Sequence, residues 1–75
     1  MEKIKLEIQW RMVSNNKMKS LEAVKGISAG ELLENLGLGA EKDQLFLIYN
    51  GRPVFLDDLL DVDGEIIIMP ILVGG

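Results

Sequence analysis

The sequence predicts an α+β roll, a mixed sheet of four to five strands with one main helix packed on one face. Three observations carry this. Residues 3–12 alternate apolar and polar, a compact capping signal opens a short leucine-striped segment at Ser28, and the run Ile66-Ile67-Ile68-Met69 is apolar on both sides of its period.

The first strand follows from the alternation. Ile4, Leu6, Ile8, Trp10 and Met12 fall on one side, and Lys3, Lys5, Glu7, Gln9 and Arg11 on the other, the period of two of a half-buried strand. Ser14-Asn15-Asn16-Lys17 has turn chemistry, since Asn tolerates positive φ. Residues 18–24 then complete a hairpin, with Leu21 and Ala23 facing inward.

Ser28-Ala29-Gly30-Glu31 is a capping box, in which the Ser28 hydroxyl accepts from the Glu31 N–H and the Glu31 carboxylate reaches back to the Ser28 N–H. Ile27 and Leu32 stand at the two positions of a hydrophobic staple. Leu32, Leu33 and Leu36 form one stripe, and Gly37 supplies a left-handed stop. A helix of about two turns follows, held by packing more than by propensity.

Residues 44–49 read as a third strand, and Asn50-Gly51 as a tight turn. Pro53 restricts the next strand, Val54-Phe55, to a short edge piece. Leu56 to Gly64 reads as an acidic turn segment. Glu65 to Ile71 reads as a central strand, because both of its faces are apolar.

The totals narrow the function. Seventy-five residues make one domain, 1–75, with a flexible tail over about 72–75. There is no Cys and no His, which removes disulfides, Cys or His nucleophiles and most transition-metal sites. The net charge of −4 argues against nucleic acid and fits a partner with a basic surface. That charge is segregated: six basic and three acidic residues in 1–30, two basic and nine acidic in 31–75. No early apolar run suits a signal peptide or membrane helix, so a soluble cytoplasmic protein is the default expectation. No acid–base or nucleophile constellation for a stand-alone enzyme is visible.

Four segments resemble one known family. Glu31-Leu32-Leu33-Glu34-Asn35-Leu36, Tyr49-Asn50-Gly51-Arg52-Pro53-Val54, Leu60-Asp61-Val62-Asp63-Gly64-Glu65-Ile66 and the terminal Gly74-Gly75 resemble the ThiS/MoaD sulfur carriers. That family shares the ubiquitin-like β-grasp fold, so the resemblance implies this fold here. The long first hairpin is similar to the molybdopterin branch, and the short stretch from helix to Asn50 is similar to the thiamin branch.

The resemblance also implies a function. An adenylating, ubiquitin-activating-type enzyme uses MgATP to convert the Gly75 carboxylate to an acyl-adenylate. A sulfur donor then displaces AMP and leaves a thiocarboxylate. The sulfur goes to a molybdopterin, tungstopterin or thiamin precursor, or to tRNA, with a pterin-synthase large subunit or a thiazole synthase as further partners. The carrier binds no cofactor, and its partners do the chemistry. Two other functions fit the same sequence: a ubiquitin-like modifier joined to lysines through Gly75, and a β-grasp interaction domain with no activated terminus.

The residues support such a terminus independently. Glycine lacks a Cβ, so Gly74-Gly75 can enter a narrow channel in almost any backbone conformation. A terminal α-carboxylate is ionised at neutral pH.

One helix covers one sheet face only. Counting back from the matched segments puts Leu45, Leu47, Ile66 and Ile68 toward the helix and Phe46, Ile48, Ile67 and Met69 on the open face. A contiguous exposed apolar patch marks an interaction site, so these four, with Leu72 and Val73, are the candidate partner-binding residues. The hairpin or the chain ends could instead cover them. Asp57, Asp58, Asp61, Asp63 and Glu65 fit either turn chemistry or steering toward a basic partner.

Overall fold

The computed structural model describes residues 2–11 and 16–71. The first hairpin is formed by β1 (Lys3–Arg11) and β2 (Asn16–Val24), which pair antiparallel from Lys3↔Val24 to Arg11↔Asn16. The ladder runs further than expected. Asn16 and Lys17 belong to β2 rather than to the turn, because they pair with Arg11 and Trp10 at the far end of the long β1. Met12, expected at the end of the first strand, lies outside the described residues.

A two-residue strand β3 (Ile27–Ser28) leads into α1 (Ala29–Asn35). The Glu31 N–H donates to Ser28 Oγ at 3.1 Å, which is one half of the expected capping box; the return bond from Glu31 is absent among the described residues. The other early N–H groups find backbone partners instead. Ala29 N–H donates to the Asp58 carbonyl and Gly30 N–H to the Leu56 carbonyl. These bonds satisfy donors that a helix N-terminus otherwise leaves without partners. Both staple residues, Ile27 and Leu32, are buried in the core.

At the other end Gly37 has φ +80°. Its N–H donates to the Glu34 carbonyl and the Leu38 N–H to the Leu33 carbonyl, which together make a Schellman motif. Leu38 packs back on the core. A 3-10 helix (Gly39–Gln44), not foreseen from the sequence, then connects to β4 (Leu45–Tyr49).

Asn50 and Gly51 both have positive φ, +50° and +83°, the requirement of the type I′ hairpin turn. The following strand β5 is Arg52–Val54, with Pro53 inside it at the sheet edge; Phe55 falls outside it and is exposed.

The segment expected to be only a turn, 56–64, contains a strand. Leu59–Leu60 (β6) pairs antiparallel with Ile27–Ser28 in a second, two-stranded sheet, and Leu60 is completely buried. Burial of one leucine and capping of α1 together hold this loop down.

β7 (Gly64–Pro70) completes the main sheet, whose order is β2-β1-β7-β4-β5. β7 is central, parallel to β1 and antiparallel to β4, as its two apolar faces predicted. The core lies between this sheet and α1. It contains Ile4, Leu6 and Ile8 of β1, Leu32 and Leu33 of α1, Leu45 and Leu47 of β4, Leu60, and Ile66 and Ile68 of β7. Trp10 and Leu21 are half-buried against it.

Candidate partner-docking face and chain terminus

The sheet face opposite α1 carries the residues expected there. The β4–β7 register sets Phe46 against Met69 and Ile48 against Ile67, while the inward Leu47 faces Ile68. Phe46 is 39% exposed, and Ile48, Ile67 and Met69 are half-buried. Pro53 stands opposite Ile48 on the β5 side. Alternation along each strand makes this placement all or none, since a one-residue slip would exchange the two faces.

The open face extends further than the apolar pattern suggested. Gln9 faces Ile67 across the β1–β7 ladder and Met18 faces Gln9 across the hairpin. Met18 is 75% exposed. It therefore belongs to the same row as Ile48 and Ile67, separated from them by one polar residue. The signal for it lay in the hairpin register, which no local pattern around Met18 reveals. Arg52 pairs with the inward Tyr49, so it is not on this face.

The segment before β7 is locked to the β4–β5 turn. Asn50 Oδ1 accepts from the Glu65 N–H at 3.0 Å, and its backbone N–H donates to the Glu65 carbonyl at 3.0 Å. Asn50 Nδ2 also donates to the Asp63 carbonyl at 3.4 Å. One residue earlier, the Tyr49 hydroxyl accepts from the Val62 N–H at 3.0 Å and donates to the Val62 carbonyl. The Asn50 carboxamide occupies the place where a Cβ on residue 64 would stand, so Gly64 is required by close approach. The two motifs singled out separately in the sequence, Asn50-Gly51 and Asp63-Gly64-Glu65, are thus one contact.

This contact predicts a coupled pair. Gly64→Ala should cost about 1–3 kcal/mol, because the new methyl displaces Asn50 from its hydrogen bonds. In an Asn50→Gly background the same change should cost much less. Urea unfolding of the four members of the cycle measures the coupling, and strictly additive costs would rule the contact out.

Two of the five acids in this region are accounted for by local structure. Asp58 Oδ2 accepts from the Phe55 N–H at 2.7 Å, and Asp63 Oδ1 accepts from the Lys5 N–H at 2.8 Å. Turn chemistry explains these two. Asp57, Asp61 and Glu65 are exposed and make no side-chain hydrogen bond among those described.

Ile71 is the last described residue; it is exposed, and its N–H donates to the Gln44 carbonyl at 2.8 Å. Leu72, Val73, Gly74 and Gly75, including the expected flexible tail, lie outside the described residues. Among the described residues no cluster of acidic side chains could hold a metal ion, and no helix is long and apolar enough to cross a membrane.

No protein-family model matches the chain, and no curated protein sequence does. Solved structures do. A ubiquitin of Caldiarchaeum subterraneum is 20% identical, with a TM-score of 0.70 over 99% of this chain and 100% of its own. A Pyrococcus furiosus protein described as molybdopterin converting factor, subunit 1, is 16% identical, with a TM-score of 0.69 over 92% of this chain and 99% of its own. SAMP1 of Haloferax volcanii is 17% identical, with a TM-score of 0.61 over 92% and 99%. The strand order, the single main helix across one face and these likenesses agree: the chain has the ubiquitin-like β-grasp fold.

Proposed function

We propose that the chain is a sulfur carrier, with Gly75 as its reactive terminus and the open face of the sheet as the surface its partners grip. The observation that carries this is the position of β7. It is the central strand, it contributes Ile67 and Met69 to the open face, and the sequence continues from it within five residues to Gly74-Gly75. A partner seated on that face is therefore close to the start of the tail.

The chemistry of the terminus follows from its carboxylate. An oxygen of the Gly75 carboxylate attacks the α-phosphorus of MgATP held by an activating enzyme, and pyrophosphate leaves. Hydrosulfide, or its equivalent on a donor protein, attacks the acyl carbon of the adenylate, and AMP leaves. The product is a thiocarboxylate that donates sulfur in molybdopterin, tungstopterin or thiamin synthesis, or to tRNA. The chain supplies the acyl group, and the enzyme supplies the ATP site. This division suits a chain with no Cys or His.

The test is the intact mass of the chain after incubation with MgATP, an activating enzyme of the adenylating class and sulfide. A gain equal to one sulfur-for-oxygen exchange, confined to the C-terminal fragment, is the expected result. Conjugates linked through Gly75 to lysine amines, with no such gain, would instead make the chain a protein modifier. Recovery of unchanged mass and no adenylate would leave a β-grasp interaction domain and sink the carrier.

A further inference from the structure

The open face is apolar over only part of its area. Along β7 its outward residues are Glu65, Ile67 and Met69; along β1 they are Glu7, Gln9 and Arg11. The parallel register sets Glu7 directly against Glu65 and Gln9 against Ile67. The apolar patch therefore ends at two facing carboxylates on one side, with Arg11 standing beyond Gln9 on the other.

Like charges directly opposed on neighbouring strands destabilise a sheet. Glu7 and Glu65 are both exposed, and the ion pairs among the described residues, Lys25–Glu2 and Lys42–Glu34, involve neither. Lys5 lies on the same side of β1, across a shallow groove that Glu7, Asp63, Gly64 and Glu65 also line. Fold stability alone gives no reason for this pairing at the margin of an apolar patch. Charge complementarity to a cation arriving from outside does.

We infer that the open face receives a protein surface that lays an apolar ridge on Ile48, Ile67 and Met69 and an arginine on the Glu7–Glu65 pair. This rests on the docking-face reading above. Arginine suits the site better than lysine. Its planar fork can span two carboxylates, and its aliphatic stem can lie along Ile67 and Gln9. The two glutamates then set which way round the partner sits, with Arg11 at the opposite end repelling a cation placed there.

Two small probes separate the parts of this inference. n-Butylguanidinium and its neutral isostere n-butylurea carry the same apolar stem. Each is titrated at low ionic strength into the 15N-labelled chain, with amide shifts as the readout. Butylurea should move the Ile48, Ile67 and Met69 amides, and Ile48→Lys should abolish that response. Butylguanidinium should bind about fivefold more tightly and move the Glu7 and Glu65 amides as well. The double variant Glu7→Gln, Glu65→Gln should bring the two probes to parity while keeping the spectrum of a folded chain.

The outcomes are distinct. If butylurea leaves the face untouched, the docking face itself falls and the inference with it. If butylurea binds there but the guanidinium is not preferred, the docking face stands and the arginine site is wrong. A preference that survives in the double variant overturns the site equally, because the cation is then being held elsewhere.

Discussion

Leu60→Ala is expected to be the most destabilising single truncation outside the β-strands of the main sheet, costing about 2–5 kcal/mol. Leu60 is 0% exposed although it belongs to a two-residue strand in a loop. Its carbonyl also accepts from the Gly26 N–H at 2.8 Å. The same loop supplies the Asp58 and Leu56 carbonyls that cap α1, so loosening it exposes the start of the helix as well. A domain of this size has a total stability of roughly 4–11 kcal/mol, so the loss is a large fraction of the whole. Leu59→Ala is the natural comparison. Leu59 is 61% exposed, and its truncation should change stability by no more than about 0.5 kcal/mol. Urea denaturation of both variants decides the matter, and equal costs would mean that the loop is not part of the core.

The largest functional effect is expected from a single added residue. Extending the chain by one alanine after Gly75 turns the Gly75 carboxylate into an amide, which is not nucleophilic toward ATP. The new carboxylate carries a methyl group on its Cα and lies one residue, about 3.5 Å, farther out. Displacement of a reacting group by even an ångström can cost about 100-fold, so ATP–pyrophosphate exchange should fall by at least that factor. Exchange at the unextended rate would show that Gly75 is not the activated residue. The Gly64→Ala cycle separates this effect from damage to the fold, since it perturbs the base of β7 and leaves the terminus chemically intact.

The strands were legible where burial imposes a period. Ile4, Leu6 and Ile8 alternate because one side of β1 faces the core, and the parity of that alternation also placed Phe46, Ile48, Ile67 and Met69 on the open face. Ser28 and Gly37 were legible as helix ends because capping chemistry is local in sequence. Contacts between distant segments were not. The Lys5 N–H to Asp63 bond joins residues 58 apart, and Asn50 reaches Asp63 and Glu65 across 13 and 15 residues. No local pattern reports such partners. The two residues of β6 are too few to show a period, which hid the burial of Leu60. The facing of Glu7 and Glu65 depends on β1 and β7 being parallel neighbours, and strand order along the chain does not fix that.

The central place of β7 also sets the order in which the protein can be made. Until residues 64–70 emerge from the ribosome, β1 and β4 each lack their shared neighbour, and the sheet is left as two separate hairpin edges. Non-local pairing of this kind comes late in folding. Ile67 and Met69 arrive with that last strand, so an incomplete chain has no finished docking face. Closure of the sheet and readiness to be recognised are then a single event, and a truncated product has nothing for an activating partner to hold.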